Sequence, residues 1–129
     1  MVHFDSSVSR TDLFVPGEYG PAQIVDAALA FSGGGTNFEP ALRAAAEVID
    51  RTGGFAKADV IMVTDGFAGE VGAWWEQYRK EKQVTSFGVA IGCEVTDAFR
   101  SCVDEAITVE DLAPNSPDER DVADKLFAI

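Results

Sequence analysis

Apolar positions along the chain alternate between short continuous runs and longer stretches with helical spacing. The plainest run is Val60, Ile61, Met62 and Val63 within DVIMVTDG. Four successive apolar residues are too few for a helix core, and they lack the polar alternation of a half-exposed strand. They predict a strand buried on both faces, central in a parallel sheet. VTSFGVAIG, residues 84–92, predicts a second strand, and residues 106–109 a last one.

Helical spacing fills the intervals. AQIVDAALAF, residues 22–31, sets Ile24, Val25, Ala28 and Leu29 on one side of an amphipathic helix. In the next helix Phe38, Leu42, Ala45 and Ile49 mark the inward face. Asn37 or Glu39 caps it, Pro40 falls in the tolerant first turn, and Thr52, Gly53 and Gly54 end it. GEVGAWWEQYRKEK puts Val71, Trp74 and Tyr78 along one stripe, so that Trp75 points away. Residues 97–103 predict a brief helix, and residues 118–127 a terminal one after a proline-containing loop. At the start, residues 2–4 predict a strand broken by Asp5, Ser6 and Ser7, and residues 11–15 a strand returning beside it. Pro16, Gly17, Gly20 and Pro21 then punctuate a loop.

This order predicts an α/β fold: a mostly parallel central sheet, helices on both faces, one antiparallel edge strand. The 129 residues fit a single domain that buries about two-thirds of the surface its unfolded form exposes. No internal repeat or low-complexity tract interrupts it.

Charge narrows the classes of partner. Ten basic against 22 acidic residues give a formal charge of −12, a field that repels phosphate backbones and anionic lipid. Nucleic acid and membrane surfaces are therefore not the expected partners. Cys93 and Cys102 are too few for a disulfide framework and have no metal-ligand or redox spacing. No stretch approaches the roughly 20 apolar residues of a membrane span, and MVHFDSSV lacks the regions of a signal peptide. The expectation is a soluble, cytoplasmic protein.

Two segments carry candidate chemistry. Asp65 lies just past the carboxyl end of the 60–63 strand, where open α/β sheets place their ligands. Gly33, Gly34 and Gly35 let the backbone approach a guest closely, and Thr36 offers a hydroxyl at the mouth of a helix. Mg²⁺ is served by hydroxyls, waters and one or two carboxylates; a phosphate is the rival guest, because glycine turns at helix N-termini present N–H donors. GGGT without a following lysine is equally consistent with a tight turn and a cap. His3 reads as a packed or edge histidine, and no second histidine exists to pair with Cys93 as a nucleophile. Asp5, Asp59 and Asp65 form no evident acid and base pair. Glu39, Glu70 and Asp97 read as solvated helix charges.

GGTNFEPALRAA followed by DVIMVTDG, with Thr36 and Asp65 almost thirty positions apart, resembles the second and third motifs of the von Willebrand factor A domain. In that family three loops build a metal-ion-dependent adhesion site: an Asp-x-Ser-x-Ser loop, a Thr after a glycine turn, and an Asp in a Thr-Asp-Gly context. VHFDSSV resembles the family's second strand and VTSFGVAIG its fifth. Among subfamilies the chain is most similar to the bacterial CoxE-like group, whose members often work with MoxR-type AAA+ ATPases. The resemblance implies Thr36 and Asp65 as metal ligands and a protein partner that supplies an acidic one.

The first motif departs from the pattern. Asp5, Ser7 and Ser9 match Asp-x-Ser-x-Ser as text, which makes them alternative ligands in a compacted domain. The interval to Thr36 is too short, however, for the two helices and two strands the family places there, given helices of about 11 residues and strands of about five. The expectation is that Asp5 to Ser9 is the loop after the second strand, and that the domain is N-terminally truncated, without its first strand. That strand would lie centrally, so its absence leaves unpaired edges, closed by direct pairing of the flanking strands or by another chain, for example strand exchange in a homodimer.

The expected function is thus a non-catalytic binding module whose incomplete site holds Mg²⁺ weakly or not at all by itself. The other class is a nucleotide- or phosphate-binding α/β enzyme using the Gly33 to Gly35 turn and Asp65.

Overall fold

The computed structural model describes residues 1–30, 33–52, 58–110, 113 and 116–127. The chain divides into two compact units, Met1–Thr52 and Gly53–Ile129. Phe31, Ser32, Gly53, Gly54 and Pro114, to which the sequence assigned a helix end, turns and a loop, lie outside the described residues.

In the first unit, β1 (Val2–Phe4) pairs antiparallel with β2 (Val8–Thr11), matching Val2 with Thr11 and His3 with Arg10. The returning strand therefore begins three residues earlier than the predicted 11–15. The cause is local: the Asp5 carboxylate accepts the Ser7 backbone N–H at 2.9 Å, a side-chain-stabilised turn that reverses the chain at once. The Asp12 carboxylate draws together the His3 ring at 2.9 Å and the Arg10 guanidinium at 2.7 Å. Arg10 reaches on to Asp26 at 2.6 Å, which ties the hairpin to α1 (Pro21–Ala28).

Helix α1 starts with Pro21 at its first position and Gln23 accepting the Gly20 N–H at 2.6 Å. Its predicted apolar stripe is not its buried side. Ile24, Val25 and Leu29 are exposed, and Ala27 is the buried residue. Helix α2 (Phe38–Arg51) follows the prediction more closely. Asn37 caps it by accepting the Glu39 N–H at 3.1 Å. Phe38, Ala41, Leu42 and Ala46 are buried, and the Phe38 ring meets Phe4 edge-on at 6.2 Å.

In the second unit β3 (Asp59–Thr64), β4 (Thr85–Ile91) and β5 (Glu105–Val109) form a parallel sheet in the order β3-β4-β5. Helices α3 (Trp74–Lys82), α4 (Asp97–Cys102) and α5 (Pro117–Phe127) complete it. β4 is the middle strand, and its residues 86–90 are all buried. β3, predicted to be central and covered on both faces, lies at the end of the sheet. Met62 and Thr64 are buried, but Ile61 and Val63 are 50% and 51% exposed.

The two faces of this sheet carry different packing. On one, Phe87, Val89, Ile107 and Val109 cluster beneath Val122 of α5. On the other, Gly88 lies against Phe99 of α4 and against Val103. Trp75, rather than Trp74, is the inward indole. It is 1% exposed, and its Nε1–H donates to the Cys102 carbonyl at 2.8 Å. Helix α3 begins at Trp74 itself, so the stripe extrapolated from Val71 does not carry through. The antiparallel pairing expected at the sheet's edge is instead the separate two-stranded sheet of the first unit. Among the described residues no helix is long and apolar enough to cross a membrane.

Candidate functional site

The glycine turn of the first unit is built against the β1–β2 hairpin. The Asn37 N–H donates to the Asp5 carbonyl at 2.8 Å, and a Cβ on Gly34 would sit 3.1 Å from Asp5 Oδ2. Gly34 and Asn37, on either side of Thr36, thus lie close to Asp5, and Thr36 itself is half-buried. No hydrogen bond engages the Thr36 hydroxyl among the described residues. The Asp5 carboxyl is held below its ordinary range, first by the Ser7 backbone N–H, with the Ser6 and Ser7 hydroxyls adding to it.

Ser7 and Ser9 are placed differently from a shared ligand loop. Ser7 is exposed in the hairpin turn, whereas Ser9 belongs to β2, where its hydroxyl donates to the His3 carbonyl at 3.2 Å. In this unit the structure brings Asp5 to the glycine turn, a proximity that spacing alone did not suggest. A glycine needed for close approach was the available signal.

Asp65 stands in the second unit, one residue beyond β3. Thr64 ends the strand by closing a turn with Gly66: its hydroxyl lies 3.2 Å from both the N–H and the carbonyl of that residue. The turn presents Asp65 exposed at the carboxyl end of the parallel sheet, and among the described residues no hydrogen bond or ion pair engages its carboxylate. Cys93, past the end of β4, comes within 3.9 Å of the Thr64 carbonyl. Asp59 begins β3 and so lies at the opposite end of the strand from Asp65.

Among the described residues, no group of three or more His, Cys, Asp or Glu side chains converges as a metal site. The donors at hand are hard oxygens, an uncommitted hydroxyl in one unit and an uncommitted carboxylate in the other.

Comparison with known proteins relates this α/β chain to a longer archaeal protein. The chain is 28% identical over 115 residues to "Uncharacterized protein MJ0811" of Methanocaldococcus jannaschii. The match covers 87% of this chain and 26% of that protein, so the chain spans about a quarter of the relative's length. No family model matches, and no solved structure does.

Proposed function

We propose that this chain is a non-catalytic protein-binding module of the von Willebrand factor A type. In it Thr36 and Asp65 serve a divalent cation such as Mg²⁺, and a carboxylate from a protein partner completes the shell. The observation that carries the reading is the Asp65 carboxylate, exposed, unpaired among the described residues and fixed by the Thr64–Gly66 turn just past a parallel strand. One hydroxyl and one carboxylate hold Mg²⁺ feebly, which makes the partner's ligand part of the site. The CoxE-like resemblance points to a MoxR-type AAA+ ATPase as that partner, in the cytoplasm.

The nucleotide-binding alternative meets a specific obstacle. Asp5 sets a carboxylate against Gly34, so a phosphate entering the glycine turn would face like charge.

Mn²⁺ titration followed by amide NMR, with Mn²⁺ as a paramagnetic stand-in for Mg²⁺, tests the proposal. Broadening centred on Thr36, Asp65 and Gly66, lost in Asp65→Ala, is the expected result. Thermal stabilisation by ATP or GTP without such broadening would replace it with the nucleotide reading. Calorimetry that finds micromolar Mg²⁺ binding to this chain alone would bring Asp5, Ser7 and Ser9 into the ligand set.

A further inference from the structure

β3 has β4 as its ladder neighbour on one side and, among the described residues, no strand on the other. The outward N–H and C=O groups of such a strand form a template for a further strand. Its side chains are equally unfinished. Ile61 and Val63 are in register with Phe87 and Val89, so they continue the apolar face of that cluster. Phe87 and Val89 are 4% and 5% exposed, against 50% and 51% for Ile61 and Val63. The buried face stops being covered where β3 begins.

The ends of the strand select what covers it. Asp59 opens β3 and Asp65 follows it; both are exposed, and no ion pair holds either among the described residues. Six residues of extended chain put these carboxylates about 20 Å apart. We propose that the open edge of β3 is a strand-addition site for an extended segment of a partner protein. Its side chains alternate apolar and polar, and lysine or arginine residues about six positions apart meet Asp59 and Asp65.

A second copy of this chain is the poorer fit. Antiparallel pairing of two β3 strands centred on Met62 sets Asp59 against Asp65 of the copy at both ends, and parallel in-register pairing sets each against itself. Like charges directly opposite destabilise a strand pair, and two chains of charge −12 repel at longer range. The proposal does not rest on the cation reading, since it uses Asp65 only as a charge at the strand's end.

The experiment uses the full chain in EDTA, so that no cation contributes. Two capped peptides serve as probes, Lys-Thr-Val-Thr-Val-Thr-Lys, whose valines share the face of its lysines, and its counterpart with glutamate at both ends. Fluorescence anisotropy is expected to show about tenfold tighter binding of the lysine peptide. Hydrogen exchange should slow at β3 amides when that peptide is bound. Ile61→Lys with Val63→Lys should abolish binding. Asp59→Lys, which alters only an exposed end, should narrow the preference even if the double variant fails to fold. Equal binding of both peptides, or no added protection of β3, overturns the proposal. So does sedimentation showing a dimer of this chain that Ile61→Lys dissociates.

Discussion

Gly34 and Asp5 stand so close that position 34 has little room for a side chain: a Cβ there would lie 3.1 Å from Asp5 Oδ2 and 3.2 Å from its Cγ. Gly35, one residue on, has nothing within 4 Å of the same construction. Gly34→Ala must therefore push the carboxylate aside. Gly35→Ala meets open space and restricts the unfolded chain, which stabilises when the backbone is compatible. Gly34→Ala is expected to be less stable than Gly35→Ala by about 1 kcal/mol, read from urea midpoints.

A tighter contact lies in the second unit. A Cβ at Gly88 would fall 2.8 Å from Phe99 Cζ and 3.2 Å from Val103 Cγ2, both within the core. Gly88→Ala overpacks this point and should cost about 1–3 kcal/mol. Combining it with Phe99→Leu, which vacates the ring position, should recover part of the loss; additive losses would mean the clash is relieved elsewhere.

The two tryptophans separate cleanly by the same kind of measurement. Trp75 is buried and hydrogen-bonded to the Cys102 carbonyl, while Trp74 is only half-buried. Trp75→Phe removes both volume and a satisfied donor and should destabilise by roughly 2–3 kcal/mol. Trp74→Phe should cost less than half as much. Equal losses would show that the indole hydrogen bond contributes little.

The sequence was most legible where one local rule sufficed. Asn37 and Glu39 together marked the start of α2, where the Asn37 amide oxygen accepts a free N–H whatever surrounds it, and the 84–92 run matched β4 because small and apolar residues leave neither face suited to solvent. Where the answer depended on neighbours, the pattern misled. The run from Val60 to Val63 looks the same whether a strand is flanked on one side or two, so the exposure of Ile61 and Val63 was invisible. Ile24, Val25 and Leu29 formed a proper helical stripe, but burial requires a facing surface, and a sequence does not say which stripe receives one. At the candidate site, the turn that presents Asp65 was legible from Thr-Asp-Gly. The approach of Asp5 to Gly34 was not, because it depends on how the hairpin docks beside α2.

Asp65 itself should be cheap to remove. It is exposed and makes no described ion pair, so Asp65→Ala is expected to leave stability within about 0.5 kcal/mol of the parent. Any loss of divalent-cation response in that variant then reports on ligation rather than on folding. A large drop in its urea midpoint would instead make the carboxylate structural.

Asp104 offers a pH-dependent counterpart. Burial alone would raise its carboxyl, but the Ser86 backbone N–H at 2.8 Å and the Arg79 guanidinium at 2.7 Å outweigh that and hold it below the ordinary range. Arg79 also donates to the Ser86 hydroxyl at 2.7 Å, so one carboxylate anchors the starts of β4 and β5 to α3. A carboxyl depressed in the folded state stabilises fully above its unfolded value, about 4, and loses that contribution as pH falls through the folded value. Asp104→Asn should therefore be less stable than the parent at pH 7, and the gap should close as pH drops from about 4 downward. Urea midpoints for both proteins across that range test it. A gap that persists at the acid end would assign the effect to lost hydrogen-bond geometry rather than to charge.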